Sequence, residues 1–208
     1  MFDAASLALF MTATIALNLA PGPDMLYVST RSLAQGRRAG VISAFGIAAG
    51  AVVHTLVIAS GMAALLRAVP VAFEIVRIAG AAYLVWLGIK ALRSRGGPLT
   101  GAPLDRASEW AIFRQGMITN LLNPKVALFF LAFLPQFTNP AAGSVAAQII
   151  VLGCLFNVSG TLVNIAVAFL AATARRWLAA GRGERVLQWL TGSVFIGLGL
   201  RLALGERR

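Results

Sequence analysis

The sequence predicts an all-α integral membrane protein of six transmembrane helices, arranged as two inverted three-helix repeats with helices one and four broken. Three observations carry this expectation. The 208 residues are 59% hydrophobic and 12% charged, with a mean hydropathy of +0.81; soluble domains run nearer a quarter charged. Ala39–Leu66 and Val126–Ala174 contain no Asp, Glu, Lys or Arg, and about 20 apolar residues suffice to cross a bilayer. Two proline-bearing segments, "NLAPGPDMLY" (18–27) and "NLLNPKVALFF" (120–130), interrupt apolar stretches at matching places in the two halves.

The spans are expected at 4–28, 39–66, 71–92, 112–134, 145–173 and 186–204. The first contains a break. The second is uniformly apolar. The third opens with Glu74 and Arg77, spaced to pair on one helix face, and closes at Lys90, whose stem can snorkel to the interface. The fourth contains the second break, and 134–144 turns tightly into the fifth. The sixth completes the bundle. Residues 93–110 form the only long polar loop. The chain therefore reads as one transmembrane domain over 1–208: a first repeat at 1–95, a cytoplasmic linker at 96–111 and a second repeat at 112–208.

A net charge of +11 raises nucleic acid as a partner, but the placement points to the bilayer. Basic residues cluster at the ends of apolar runs: Arg31, Arg37 and Arg38; Arg93 and Arg95; Arg175, Arg176, Arg182 and Arg185. This pattern marks cytoplasmic loops. It puts the loops after spans one, three and five inside and both termini outside, although Arg201, Arg207 and Arg208 in the tail pull the other way. The single cysteine, Cys154, excludes an intramolecular disulfide. No Lys or Arg precedes Arg31, so the first segment lacks the positive region of a signal peptide.

The halves resemble each other. "NL" at 18–19 recurs at 120–121, "GAVVH" at 50–54 matches "GTLVN" at 160–164, and "LGIK" at 87–90 matches "LGLR" at 198–201. A repeat of three spans must be inverted across the membrane. Inverted repeats interrupted at matching positions suit a secondary transporter with its site near the midplane.

Pro21, Gly22, Pro23 and Asp24 carry the first half of that expected site. Prolines remove donors and push the preceding residue out of helical geometry, and freed carbonyls survive only against protein or a water-filled cavity. A half-helix starting at Pro23 would aim its unpaired N–H groups and positive dipole end inward. That end suits the carboxylate of an amino acid, while Asp24 suits an ammonium group or a proton. A proline kink with Asp24 as a mere cap is the alternative; the cost of an intramembrane carboxylate favours function.

Asn123, Pro124 and Lys125 form the second half. A lysine at a helix N-terminus opposes the dipole and needs compensation. Asp24 is the expected partner, either in a structural ion pair joining the repeats or in a pairing exchanged for a zwitterionic substrate. His54, the only histidine, shares a face with Gly46 and Gly50, where small residues let helices approach. It reads as a proton relay or as a hydrogen-bonded core histidine, the second being preferred. Asn18 and Asn120 on the broken spans, with Asn157 and Asn164 on span five, are expected chiefly as helix–helix hydrogen bonders. Tyr83, Trp86, Trp177 and Trp189 read as interface anchors or packing residues.

"NLAPGPDMLYV", the Gly-xxx-Gly-xxx-His pattern ending at His54, "GAAYLVWLGIKALR" and "GMITNLLNPKVALFFLAFLPQF" together resemble the LysE/RhtB superfamily of amino-acid exporters. The resemblance covers all six spans. It implies export of amino acids or related metabolites across the bacterial inner membrane, driven by the proton-motive force. It places Pro21, Gly22, Pro23 and Asp24 in the first-span signature and Asn123, Pro124 and Lys125 in the fourth. The implied partners are protons, a small zwitterionic solute and lipid; no cofactor or metal is implied. A homodimer is one option for the assembly.

Other classes fit less well. An intramembrane enzyme lacks its residues: there is no Gly-x-Ser-x-Gly, no carboxylate cluster, and one histidine far from one cysteine. An ATP-driven pump lacks a phosphate loop. A small-solute channel or an assembly subunit without proton coupling is the alternative, to be separated by flux rate and gradient dependence.

Overall fold

A computed structural model describes residues 2–68 and 107–173, with isolated positions at 78, 82, 85, 86, 89, 193, 196 and 200. Every element among the described residues is helical. The expected third and sixth spans, with Glu74, Arg77, Lys90, Tyr83, Trp177 and Trp189, lie outside the continuous described segments.

Helix α1 (Ala4–Leu19) begins at Asp3, whose Oδ1 accepts the Ser6 N–H at 2.8 Å and so satisfies one of the donors a helix start leaves open. It ends where Pro21 and Pro23 lack the two N–H groups that would bond the Leu17 and Leu19 carbonyls. Helix α2 (Pro23–Gln35) follows with proline at its first position, and the pair is bent by 47°. Gly36, at φ +87°, is the whole connection to α3 (Arg37–Ala68). That left-handed elbow is a conformation glycine adopts without steric cost. Thirty-two residues at 1.5 Å each give α3 a length of about 48 Å, more than a hydrocarbon core requires.

The second half of the described chain repeats this order. Helix α4 (Glu109–Leu121) starts on a Ser108 cap, and α5 (Pro124–Leu128) starts on an Asn123 cap. The chain then passes through a π-helical turn at Phe129–Phe133 and a 3₁₀ turn at Leu134–Phe137. This bent pair turns by 48°. A short 3₁₀ turn at Pro140–Ala142 leads to α6 (Val145–Thr173), again long and apolar enough to span. Gln148, almost fully buried, fixes that connection by bonding Asn139 through both its Oε1 and its Nε2.

Helix α3 packs along both α4 and α6, and α2 lies against α3 and α6. The expected small-residue face is observed. A Cβ on Gly46 would run into the Phe113 carbonyl, and one on Gly116 would stand 2.8 Å from the Ser43 carbonyl. The α3–α4 crossing therefore tolerates no side chain at either of these two positions. The main core is aromatic: Phe10, Phe129, Phe130, Phe133 and Phe156 are buried, with neighbouring ring centroids between 4.9 and 6.5 Å apart. Burial of such rings contributes about 1.5–3 kcal/mol each in water. In lipid, close packing rather than water exclusion must supply the attraction. Leu56, Val57, Leu162 and Leu170 point outward, each more than half exposed, as a lipid-facing surface requires.

One boundary and one residue differ from expectation. The first broken span runs to Gln35 rather than ending near residue 28, because no breaker occurs before Gly36. Arg31, expected as a cytoplasmic-loop marker, therefore lies inside α2 and is only 4% exposed.

Candidate functional site

The two breaks meet. Asp24, in the first turn of α2, is 9% exposed, and its Oδ2 accepts the Asn120 side-chain N–H at 2.8 Å. Asn120 stands in the last turn of α4, immediately before the second break. Asn123 caps α5: its Oδ1 accepts the Lys125 backbone N–H at 3.1 Å. Its amide nitrogen approaches the Asp24 carboxylate without reaching hydrogen-bond geometry. Three buried polar atoms around this point have no hydrogen-bond partner: Asp24 Oδ1, Asn120 Oδ1 and Asn123 Nδ2. Such atoms cost about 1–3 kcal/mol each when unsatisfied, so a native fold keeps them together only where something else gains. Two acceptors and one donor at one place form a constellation able to hold a small polar solute.

Lys125 is 8% exposed, and its Nζ donates to the carbonyls of Leu17 (3.0 Å) and Ala20 (2.9 Å). Both lie at the break: Pro21 has no N–H for the Leu17 carbonyl, which also takes the Ala20 N–H at 3.2 Å, and Ala20 is the last residue before the prolines. The expected Asp24–Lys125 ion pair is not formed as a direct contact, whereas Arg38 and Glu109 do pair, at 2.7 Å. Asp24 feels the Lys125 charge through space. The reason is local. The α1 C-terminus offers the ammonium two fixed acceptors and the negative end of a helix dipole, whereas the Asp24 carboxylate is already tied to Asn120.

Gly22 lies beside Lys125, while Pro23 and Pro124 are exposed at the first helical positions of α2 and α5. His54 follows Gly46 and Gly50 along the α3 face. Its Nε2 is 3.3 Å from the Asn120 carbonyl and its ring stacks on Phe130 at 5.6 Å. It thus touches the site through Asn120. Asn18 turns away to α6, where its Nδ2 donates to Ser159 Oγ at 3.1 Å. Asn157 donates to the Ala48 carbonyl of α3 at 3.3 Å. Both join helices. The matched glycines pack crosswise: a Cβ on Gly50 would meet the Asn120 side chain, and one on Gly160 the Asn18 side chain. No group of three His, Cys, Asp or Glu residues able to hold a metal occurs among the described residues.

One network escaped the sequence reading. Arg31 donates to Gln35 Oε1 (2.8 Å) and Gln115 Oε1 (2.7 Å), and the Tyr27 hydroxyl donates to the Ile112 carbonyl (2.9 Å). Gln35 in turn bonds the Ala107 backbone. Tyr27, Arg31 and Gln35 recur at four-residue spacing, which places them on one helix face. With Asp24–Asn120 they make the whole α2–α4 seam polar. That periodicity was the available signal.

Comparisons with known proteins show the family of the chain. A family model described as LysE type translocator matches residues 15–206. The chain is 33% identical to a homoserine/homoserine lactone efflux protein of Salmonella typhimurium over 94% of each chain. It is 33% identical to an uncharacterized membrane protein of Vibrio cholerae over 96% of this chain and 97% of that one. A membrane protein of Bacillus subtilis is 25% identical over 96% and 99%. No solved structure matches. The chain belongs to the LysE type translocator family.

Proposed function

We propose that this translocator is a secondary active exporter of amino acids or related small metabolites, working across the bacterial inner membrane by proton antiport. The observation that carries the reading is the convergence of both helix breaks on buried Asp24, Asn120, Asn123 and Lys125. Irregular backbone and ionisable groups at such depth are expensive and mark transport sites. A solute ammonium fits the orphaned oxygens of Asp24 and Asn120. Its carboxylate fits the Asn123 amide and the start of α2, which has no side-chain cap. The efflux relatives, named for homoserine and its lactone, support a small polar solute of this kind.

The order bent pair, then long helix, occurs twice, with bends of 47° and 48°. Together with the crosswise packing of Gly50 on Asn120 and Gly160 on Asn18, it supports two inverted repeats that rock about the site. In that cycle Asp24 alternates between a proton from outside and the solute from inside, with the odd-numbered loops cytoplasmic. A proton moving down 100 mV supplies about 2.3 kcal/mol, close to a fiftyfold concentration ratio of solute.

The test is efflux from proteoliposomes loaded with a panel of labelled amino acids, with and without an imposed pH gradient. Gradient-dependent efflux of one chemical class is expected. Efflux at channel rates that ignores the gradient would replace the antiporter reading with a pore.

A further inference from the structure

The Lys125 ammonium occupies a position whose chemistry is that of a bound cation. Its two acceptors, the Leu17 and Ala20 carbonyls, are main-chain oxygens at the C-terminal end of a half-helix. Such ends carry the negative pole of the dipole and coordinate coupling cations in transporters with broken helices. Here the cation is tethered. It is carried by α5, on the far side of the second break, and reaches back across the first. The approach is close: a Cβ placed on Gly22 would stand 3.1 Å from Nζ and 3.4 Å from Cε, with Lys125 atoms as its three nearest neighbours. Gly22 itself has an extended backbone, φ −171°, that any residue can adopt. The lack of a side chain at position 22 is therefore accounted for by the space the ammonium takes.

We infer that the Leu17 and Ala20 carbonyls form a monovalent-cation site that the chain fills with its own Lys125 ammonium, and that this site accepts a free primary alkylammonium ion once the lysine side chain is cut back. The tethered charge takes the place of a separate coupling metal ion. It links the start of α5 to the end of α1 without consuming the Asp24 carboxylate, which stays available to solute and proton. The consequence for transport rests on the exporter reading; the cation site itself does not.

Lys125→Ala removes three methylenes and an ammonium, a fragment with the composition of propylammonium. The purified variant is expected to melt below the wild type in detergent, and propylammonium is expected to raise its melting temperature by several degrees. Tetramethylammonium, which has no N–H to donate, should leave it unchanged, and the wild type should respond to neither. In proteoliposomes the same propylammonium should restore part of the lost efflux. A folded Lys125→Ala protein as indifferent to propylammonium as the wild type would overturn the inference. Gly22→Ala keeps the lysine and gives a check that does not depend on the cut-back variant folding. The three nearest neighbours of the new methyl group are all Lys125 atoms, so the ammonium has to give way; melting temperature and efflux should both fall, and Gly22→Ala with wild-type values for both would equally overturn it. Wild-type liposomes that export no amino acid would sink the exporter reading alone, because the melting experiment reports the cation site without transport.

Discussion

The two helix breaks have nearly the same bend and opposite chemistry. At the first, α2 starts on Gly22 with no side-chain cap and carries an acid in its opening turn. At the second, α5 starts on Asn123, whose side chain caps it, and carries a base. The acid sits where a helix dipole favours it, yet one carboxylate oxygen has no partner. The base sits where its own helix opposes it, yet its ammonium is held by two carbonyls of another helix. The base of the second break thus closes the carbonyl side of the first, while unpartnered polar atoms remain at both breaks: Asp24 Oδ1 at the first, Asn120 Oδ1 and Asn123 Nδ2 at the second. Equivalent backbone positions carry opposite charges with different partners, a side chain for the acid and main-chain carbonyls for the base.

The largest effect expected from disturbing this division is at Asp24. Asp24→Asn keeps the shape and a hydrogen bond to Asn120 but removes the charge. Proton-driven efflux should fall to background while the protein stays in the membrane with a normal melting temperature. Unchanged efflux would remove Asp24 from the mechanism.

A double-mutant cycle sharpens the contrast next. Asp24 touches Asn120 and not Lys125, so the Asp24/Asn120 alanine cycle should give a coupling in the range of about 0.5–3 kcal/mol typical of contacting residues. The Asp24/Lys125 cycle, measured by the same unfolding assay, should give less. A reversal of that order would restore the direct ion pair.

Removing the cap from the second break should cost stability as well as the solute contact proposed for the Asn123 amide. Asn123→Ala loses the bond to the Lys125 N–H, worth about 1 kcal/mol for an N-cap, and the melting temperature should report it. A stability equal to the wild type would mean the cap contributes nothing to the asymmetry.

The smallest effect is expected at His54. Its hydrogen-bond contact with the site is the Asn120 carbonyl, and the matched position in the second half is Asn164. His54→Asn retains a donor, so the pH profile of efflux should be unchanged and stability should drop by less than about 1 kcal/mol. A shift of that profile would revive His54 as a proton relay.

The breaks were legible because proline and glycine act locally: Pro21, Pro23 and Pro124 interrupt helices whatever surrounds them. The face of Gly46, Gly50 and His54 was legible because four-residue spacing is a property of any helix. The partners of Lys125 were not. Charge alone pointed to Asp24, whereas the actual acceptors are main-chain carbonyls, and every residue owns one of those. Arg31 was misplaced for a related reason. Basic residues near Gly36 look like a loop, but the loop is one residue long, and the arginine lies far enough before it to be helical and buried.

That one-residue connection has a mechanical consequence. With Gly36 alone between them, α2 and α3 cannot slide past each other; they can only pivot. Helix α2 is then a lever of 13 residues, about 20 Å long, with its fulcrum at the elbow and Asp24 at its far end, where a short link ties it to α1. A tilt of 10° at Gly36 would sweep that end through about 3 Å on this geometry, roughly the length of the hydrogen bond that joins Asp24 to Asn120. Such a rotation is enough to make or release that contact, and because α2 lies against α3 and α6 it must shift their packing with it.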